Sequence, residues 1–292
     1  MKKTITEIPE NNEEKEITAE SKSSFLYSFS FLPKEKNDAI NIVYAFCRKT
    51  DDIVDDESEP DVKAARIKEW RNELEKALNE GDSIFPLLKK VAAVVRKFNI
   101  PVFPFYELIN GMEMDLKKHR YNNFSELADY CFKVASTVGL MSIEIFGYKN
   151  EKTREFAINL GIALQLTNII RDVKADAEAG RIYIPLEDMR HFSYTEKELL
   201  NNVYNDNFKR LMKFECNRAR YFYEEANKNL TKEDKGLMFS ARIMEMIYFR
   251  VLKKIERNNY NIFEGKVGIS LLSKAAITAG VFLKYRIFYG FE

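Results

Sequence analysis

Apolar side chains recur every three or four residues along most of the chain, and the alternation typical of strands is hard to find. Pro33 marks a helix start, after which Ile40, Val43, Tyr44 and Cys47 follow at helical spacing. Further helical patterns cover residues 62–80, 84–98, 102–117, 124–146, 152–176, 195–228, 234–258 and 269–288. The periodicity therefore predicts an all-α protein.

Helix breaks are predicted where Gly, Pro and Asn occur, near Gly81, Asn99, Gly147 and from Gly180 to Pro185. The sequence contains no internal repeat and no Gly/Ser-rich linker, so residues 21–292 are predicted to form one helical domain. Residues 1–20 are polar and charge-dense, which predicts a disordered leader and not a signal peptide.

Two helical stretches, Tyr130–Phe146 and Leu160–Ile170, are nearly apolar on every side. Helices of this kind lie buried among others in the centre of a domain. Small residues interrupt both stretches, namely Ala135, Ser136, Gly139, Gly161 and Ala163. They either allow neighbouring helices to approach closely or leave room for a ligand, and the pattern alone supports both readings.

The first acidic motif stands at the end of the helix that starts near Pro33. Asp51 and Asp55 lie one turn apart on the same side of this helix, as do Asp52 and Asp56. Stacked carboxylates repel each other, and the helix dipole disfavours them near a C-terminal end. The run is either a solvated acidic segment entering a loop or a site for cations.

The second acidic motif emerges from the most apolar helix. Asn168, Asp172 and Asp176 recur every four residues and form one polar stripe about 12 Å long at ~1.5 Å per residue. Buried charge is costly unless it is paired or bound to a metal. A metal site is therefore favoured over a capped or salt-bridged helix.

Composition and charge limit the kinds of ligand that the chain is expected to bind. The net charge of +1 argues against a nucleic-acid surface. The three cysteines are far apart and suggest neither a disulfide framework nor a zinc site, and both histidines, His119 and His191, have polar neighbours. Two carboxylate clusters without histidine make an oxygen-only site, which suits Mg²⁺ and substrate phosphates. Arg48, Arg171 and Arg181 can bind phosphate oxygens, so the expected ligand is a diphosphate with a long apolar tail.

With these motifs in place, the sequence resembles the squalene/phytoene synthase family from Ser23 to about Lys274. YAFCRKTDDIVDD, residues 44–56, looks like its first aspartate-rich motif, and LGIALQLTNIIRDVKADAEAGRIYIP, residues 160–185, looks like its second. YCFKVASTVGLMSIEI, residues 130–145, matches its small-residue helix, and SFLYSFSFLP, residues 24–33, is similar to its flap segment. The resemblance implies an isoprenoid synthase fold, in which helices surround a deep apolar cavity with both motifs at its mouth.

The resemblance also implies roles for individual residues. Mg²⁺ would be carried by Asp51, Asp55, Asn168, Asp172 and Asp176, with Asp52 and Asp56 beside them. The diphosphates would be held by Arg48, Arg171, Arg181 and Tyr183. The pocket would be lined by Tyr44, Val134, Val138, Gly139, Gln165 and Tyr248, and the covering segment would supply Phe25 and Phe29. A further basic position is expected at Lys266.

The reaction implied is the head-to-head joining of two prenyl diphosphates, farnesyl or geranylgeranyl diphosphate, through an allylic carbocation. Either Tyr183 or the released diphosphate would accept the proton. Three alternatives stay open: a head-to-tail prenyltransferase, a terpene cyclase, and an inactive helical binding protein. The spacing from Asn168 to Asp176, followed by GRIYIP, fits head-to-head synthases best.

The product expected is of the bacterial presqualene diphosphate/squalene type, on the FxFLPKEK opening and the DAEAGRIYIPLEDM segment. Phytoene and dehydrosqualene synthases share the motifs and remain alternatives, and NADPH is expected only for the full squalene reaction. The expected location is the cytoplasm, with peripheral contact at the inner face of the membrane during product release as a further expectation.

Overall fold

A computed structural model describes residues 28–29, 31–265 and 267–289, with the backbone alone at residues 286, 288 and 289. Its helices are α1 (Lys34–Asp55), α2 (Pro60–Glu80), α3 (Pro86–Phe98), α4 (Phe103–Asp115), α5 (Phe124–Cys131), a π-helical turn (Phe132–Ser136), α6 (Thr137–Phe146), α7 (Lys152–Glu178), α8 (Leu186–His191), α9 (Glu196–Leu200), α10 (Asp206–Asn229), α11 (Phe239–Arg257) and α12 (Leu271–Tyr289). The described residues contain no strand, only an isolated bridge between Arg120 and Ile182, which confirms the all-α prediction.

Local chemistry sets most helix boundaries. Proline occupies the first position of α2 and of α3, where its missing N–H leaves no intrahelical bond unmade. Gly81 ends α2 in the left-handed conformation at φ 78°, and its N–H donates to the Ala77 carbonyl. Asn99 ends α3 at φ 52° in the same way. The breaks predicted from these residues are confirmed.

Two predicted helices are interrupted. The pattern over 195–228 divides into α9 and α10, because Asn202 turns left-handed at φ 54° and the Asn205 side chain caps a new helix by accepting from the Phe208 N–H. The pattern over 124–146 contains the π-helical turn that separates α5 from α6. Helix α8 was not predicted at all. Apolar spacing continues through these interruptions, so periodicity alone does not reveal them.

Helix α7 lies in the centre of the molecule. It packs along α10 and also contacts α6, α11 and the π-helical turn, while α1 packs against α3, α6 and α4. This arrangement buries α7 on nearly all sides, as its apolar sequence predicted. No helix within the described residues is long and apolar enough to cross a membrane.

The approach of α7 to the π-helical turn depends on glycine. A Cβ atom at Gly161 would lie 2.5 Å from Cα of Ser136, and one at Gly139 would lie 2.9 Å from the Ala157 carbonyl oxygen. Both distances are too short for any larger side chain. These two small residues therefore serve close helix packing, and both also border the cavity described next.

Candidate active site

A cavity of about 980 Å³ opens between α1, α4, α6, α7 and α11. This volume is at the upper end of the range for ligand pockets, ~300–1,000 Å³. Most of the side chains that line it are apolar, with Phe146, Phe156, Leu160, Met244 and Ile247 among them. The cavity can therefore take a large ligand whose greater part is hydrocarbon.

Most of the predicted pocket residues line this cavity. The set comprises Phe29, Tyr44, Val134, Val138, Gly139, Gln165 and Tyr248. Phe25 and Lys266 lie outside the described residues. Lys274, which the sequence analysis did not single out, also lines the cavity, and burial together with the charge of Arg171 lowers its pKa.

The polar end of the cavity brings the two acidic motifs together. Arg48 and Asp51 reach it from the last turns of α1, and Asn168 and Arg171 reach it from the middle of α7. Asp55, Asp172, Asp176 and Arg181 are not among the residues that line the cavity, although ion pairs and charge interactions connect them to the same region. The resemblance predicted that the two motifs meet at the cavity, and in the structure Arg48 and Asp51 of the first and Asn168 and Arg171 of the second line it.

Crowding raises the pKa of one carboxylate in each motif. Burial and the neighbouring charge of Asp55 raise the pKa of Asp51 to about 6 against the opposing effect of Arg48. Burial and the charge of Asp172 raise the pKa of Asp176 to about 7. Both groups thus hold protons more firmly than an ordinary aspartate does. A bound cation would relieve the repulsion that causes this.

Three arginines pair with carboxylates of the motifs. Arg48 contacts Asp51 at 3.0 Å, and Arg181 contacts Asp55 at 3.2 Å. Arg171 donates from Nε to Oδ1 of Asp172 at 2.9 Å. Each proposed phosphate-binding arginine therefore neutralises a proposed magnesium ligand in this structure. A bound cation could replace the arginines as partner of the aspartates, and a diphosphate could replace the aspartates as partner of the arginines.

The outer aspartates of the first motif differ from the inner ones. Asp56 accepts from the Ser58 N–H at 2.9 Å and pairs with Arg66, so it stabilises the turn between α1 and α2. Asp52 pairs with Arg48 at 2.9 Å and is nearly half exposed. These contacts give Asp56 a structural role, which the sequence analysis had left open.

A further acidic residue belongs to the site and was not predicted. Asp115, the last residue of α4, accepts from the hydroxyl groups of Tyr130 and Tyr183, each at 2.9 Å. Burial raises its pKa, against the effect of both tyrosine hydrogen bonds. The signal was present in the sequence, because Leu108, Met112 and Asp115 fall on one helix face and the carboxylate continues an apolar stripe.

The donor set fits a hard divalent cation. The side-chain oxygen of Asn168 is buried and accepts no hydrogen bond from any described residue, so an oxygen ligand is available in the wall of the site. Carboxylates and amide oxygens are the ligands that Mg²⁺ takes in proteins. Within the described residues, no three carboxylate, histidine or cysteine side chains converge closely enough to hold an ion unaided. Substrate phosphates would have to complete the coordination.

The remaining candidates are peripheral to the chemistry. His119 and His191 are exposed, as their polar neighbours predicted. Cys131 and Cys216 are buried and unpaired, while Cys47 borders the cavity as a small apolar residue. Burial and the charge of Asp51 raise the pKa of the Cys47 thiol, which opposes a nucleophilic role.

Comparison with known proteins agrees with this geometry. The family model for squalene/phytoene synthase matches residues 18–273. A phytoene synthase from Arthrospira platensis is 35% identical, over 89% of this chain and 88% of its own, and a 15-cis-phytoene synthase from Synechocystis sp. is 36% identical over 85% and 77%.

Solved structures give the same result. A dehydrosqualene synthase in complex with a ligand superposes with a TM-score of 0.82 at 28% identity, covering 94% of this chain and 95% of its own. A squalene synthase from Alicyclobacillus acidocaldarius superposes with a TM-score of 0.76 at 26% identity, covering 85% and 95%. The isoprenoid synthase architecture expected from the motifs is thereby confirmed.

Proposed function

This chain belongs to the squalene/phytoene synthase family, the head-to-head prenyltransferases, and on that premise we propose that it joins two prenyl diphosphates with release of diphosphate. The observation that carries the proposal is the cavity of about 980 Å³, lined mostly by apolar side chains and, from the two acidic motifs, by Asp51 and Asn168. A diphosphate head and an isoprenoid tail match these two kinds of lining.

Asp51, Asp55, Asn168, Asp172 and Asp176 would hold Mg²⁺. When bound, Mg²⁺ would supply positive charge to the diphosphate oxygens and so make diphosphate a better leaving group. The alternative role for these residues, a network of ion pairs alone, leaves the Asn168 oxygen without a hydrogen-bond donor. That orphaned oxygen supports the metal assignment.

The arginines bind the diphosphates in this proposal. Arg48 and Arg171 lie at the polar end of the cavity, and their guanidinium groups can meet phosphate oxygens in bidentate fashion. Arg181 can do the same from its position beside Asp55. An arginine that turns from its aspartate to a phosphate leaves that carboxylate free to bind the cation.

The bond changes take place in the cavity beside the diphosphates. The C–O bond of one prenyl diphosphate breaks with both electrons, leaving an allylic carbocation. The double bond of the second substrate attacks it, and loss of a proton closes a cyclopropylcarbinyl diphosphate. The apolar walls exclude water, and the faces of Tyr44 and Tyr248 can stabilise the cation.

The proton acceptor was expected to be Tyr183 or the released diphosphate. The Tyr183 hydroxyl donates to Asp115, and Tyr130, which lines the cavity, donates to the same carboxylate. Burial raises the pKa of Tyr130 well above its ordinary value, so this hydroxyl stays protonated. A proton leaving the substrate can pass through the Tyr130 hydroxyl to Asp115, with Tyr183 holding the other carboxylate oxygen.

Two substrate lengths have separate support. The relatives from Arthrospira platensis and Synechocystis sp. are phytoene synthases, which favours geranylgeranyl diphosphate and a C40 product of the phytoene type. The solved structures are a dehydrosqualene and a squalene synthase, which favours farnesyl diphosphate and the presqualene/squalene type that the sequence predicted. We put the C20 substrate first, because its relatives are more similar in sequence.

The test is a product analysis. Purified protein with Mg²⁺ is given farnesyl and geranylgeranyl diphosphate, singly and in equal amounts, with and without NADPH, and products are identified by mass. A C40 hydrocarbon or a cyclopropyl C40 diphosphate supports the first candidate, and a C30 product supports the second. Longer linear diphosphates or cyclic terpenes would overturn head-to-head coupling, and unchanged substrates would favour a binding protein.

A further inference from the structure

Three charged side chains lie together in the interior, and they are not among the residues that line the cavity. Arg218 of α10 donates from Nη1 to Oδ2 of Asp188 at 2.7 Å and from Nη2 to Oδ1 of Asp188 at 3.2 Å. The same Nη1 donates to Oε2 of Glu215 at 2.7 Å. The side chains of Arg218, Asp188 and Glu215 are 13%, 9% and 2% exposed. We call these three residues the buried charge cluster.

Within the buried charge cluster, Asp188 is the charged partner of Arg218. Burial and the charge of Asp188 raise the pKa of Glu215, against the effect of Arg218. A protonated Glu215 leaves one carboxylate and one guanidinium group, whose charges cancel. The two N–H groups of the guanidinium match the two oxygens of Asp188, so this pair fixes the direction as well as the distance between α10 and α8.

Aromatic rings also contact Arg218. Its guanidinium carbon lies 4.3 Å from the ring centroid of Phe124 and 4.7 Å from that of Phe214. Phe124 begins α5, and its N–H donates to Oε1 of Glu187 at 2.7 Å. Glu187 precedes Asp188 in the first turn of α8. The starts of α5 and α8 and the middle of α10 therefore meet at Arg218.

Stabilisation of the fold does not by itself account for the buried charge cluster. Taking charged groups out of water costs free energy, and well-packed apolar residues of similar volume are often equally or more stabilising. A bidentate ion pair differs from apolar packing in that it allows one geometry. The segment whose geometry depends on Arg218 is therefore the one that shows its role.

That segment, residues 181–187, carries two side chains of the candidate active site. Arg181 pairs with Asp55 at 3.2 Å, and the Tyr183 hydroxyl donates to Asp115 at 2.9 Å. Both contacts join the segment to helices that are far away in the sequence. A small displacement of residues 181–187 would therefore change both contacts together.

Residues 181–187 are held from two directions. The backbone N–H groups of Ile182, Leu186 and Glu187 donate to carbonyl oxygens of residues 119–122 at 2.9–3.0 Å. Asp188, which follows directly, binds Arg218 of α10. Because α10 packs along α7, this second contact ties the segment to the helix that carries the second acidic motif.

We propose that Arg218 is a positioning residue, which through Asp188 holds residues 181–187 so that Arg181 and Tyr183 keep their places in the site. Arg218 itself touches neither substrate nor cation. Its effect on diphosphate binding, exerted through Arg181, rests on the proposed function. Its effect on the segment does not.

The first test is amide hydrogen exchange of the full-length protein, without ligand, read by mass spectrometry. Arg218→Lys keeps the positive charge and loses the two-pronged contact with Asp188. Exchange at the N–H groups of Ile182, Leu186 and Glu187 should become about tenfold faster, because the segment opens more easily. Unchanged exchange at these three groups overturns the proposal.

Arg220→Lys is the matched control. Arg220 lies on the same helix, donates from Nε to Oε1 of Glu256 at 2.7 Å, and lies 5.0 Å from the ring centroid of Phe249. It thus makes the same kind of contact as Arg218, but with α11. Arg220→Lys should leave exchange in residues 181–187 unchanged. An equal rise in both variants would reflect general destabilisation and would overturn the proposal.

The second test is calorimetric titration with inorganic diphosphate in the presence of Mg²⁺. Arg218→Lys should weaken binding about tenfold and Arg220→Lys less than about twofold, as expected for one misplaced arginine–phosphate contact. Because Arg218 acts through Arg181, Arg218→Lys should cost little more when Arg181→Gln is already present. Additive losses, or a lower melting temperature with unchanged affinity, would reduce Arg218 to a structural role and overturn the proposal.

A second variant keeps the test decisive if Arg218→Lys proves unfolded by circular dichroism. Asp188→Asn leaves Arg218 and Glu215 as a pair with one charge of each sign, so the fold should persist. It should give the same two results as Arg218→Lys. If the unsubstituted protein binds no diphosphate, the proposed function is wrong, and hydrogen exchange, which uses no ligand, still decides whether Arg218 holds the segment.

Discussion

The two acidic motifs lie at the same end of the cavity, but the helices that carry them differ in how far their acidic side chains are exposed. The first stands in the last turns of α1, where the side chains of Asp52 and Asp55 are 46% and 45% exposed. The second stands on α7, whose Asp172 side chain is 27% exposed. In the first, water and Arg48 or Arg181 moderate the charge. In the second, Arg171 pairs directly with Asp172.

Because of this difference in exposure, substitutions in the two motifs should affect stability and catalysis differently. Asp172 and Asp176 lie one turn apart on α7, and the packing of α7 against α10, α6 and α11 keeps this helix in place although the two charges repel. Residues kept in place against such repulsion are typical of functional sites. The residues of the first motif have two different roles, because Asp51 lines the cavity while Asp56 stabilises the turn between α1 and α2. The second motif should therefore be the more sensitive to substitution in catalysis and the less sensitive in folding.

The largest expected effect is that of Asp172→Asn. The change keeps the shape of the side chain and removes a charged ligand, so turnover should fall on the order of a hundredfold to a thousandfold, as when one preorganised charge-stabilising group is lost. The melting temperature should stay level or rise, because a repelling carboxylate is gone. Diphosphate release and thermal melting are measured on the same preparation.

Asp56→Asn is the matched control for that change. It lies in the acidic run of the first motif, but its contacts are Ser58 and Arg66. Turnover should stay near that of the unsubstituted protein. Near-normal turnover in Asp172→Asn, or equal losses in the two variants, would contradict the assignment of the metal to the second motif.

Asp115→Asn should have the next largest effect. An asparagine does not accept a proton as a carboxylate does. It also has only one acceptor oxygen in its side chain, whereas Asp115 uses one oxygen for each tyrosine. Turnover should therefore fall about a hundredfold, at the lower end of the range for a proton-transfer group. Because Asp115 and Tyr130 act on the same proton, Asp115→Asn combined with Tyr130→Phe should cost little more than the larger single change.

Asp129→Asn serves as the control for Asp115→Asn, since Asp129 lies next to Tyr130 in the chain but pairs with Lys133 at the surface. It should leave turnover unchanged. Strictly additive losses for Asp115→Asn and Tyr130→Phe would show that the two residues act independently, and the proposed relay would be wrong.

A smaller effect is expected on stability. Mg²⁺ with an unreactive prenyl diphosphate analogue should stabilise the protein by about 2.7 kcal/mol at a hundredfold excess over Kd, seen as a rise in melting temperature. Mg²⁺ alone should do less, because the phosphates complete its coordination. Asp176→Asn should abolish most of the joint shift. If Asp176→Asn shows the full rise in melting temperature, the cation does not bind at Asp176.

The smallest effect is expected from deleting residues 1–20, which contain too little apolar material to add to the core. Turnover and melting temperature should remain nearly unchanged, and the contrast between the two motifs should persist in the shortened protein. A loss of folding on circular dichroism would instead make this segment part of the domain.

The helices that periodicity predicted best are those with strong end signals. Pro60 and Pro86 start helices, and Gly81 and Asn99 end them, as local backbone chemistry requires. The short α8 and the break between α9 and α10 were missed, since the apolar spacing there does not change at the break. Such details depend on side-chain caps, and competing caps look alike in sequence.

In the candidate site, too, some residues could be predicted from the sequence and others could not. The carboxylates of both motifs could be read from the sequence, because like charges at helical spacing on an apolar helix have no structural benefit. Asp115 was missed, although it continues the apolar stripe of α4, because one isolated acidic residue carries no spacing to recognise. Its two tyrosine partners come from α5 and from the loop after α7.

The sequence by itself determined the helical class, the boundaries marked by Pro, Gly and Asn, and the residue types that make an oxygen-rich, phosphate-binding site. These depend on interactions between residues a few positions apart. Only the tertiary structure decided which residues of the two motifs line the cavity, and that Asp115 joins Tyr130 and Tyr183. Those features depend on which helix faces meet, and that is settled by the packing of the whole chain.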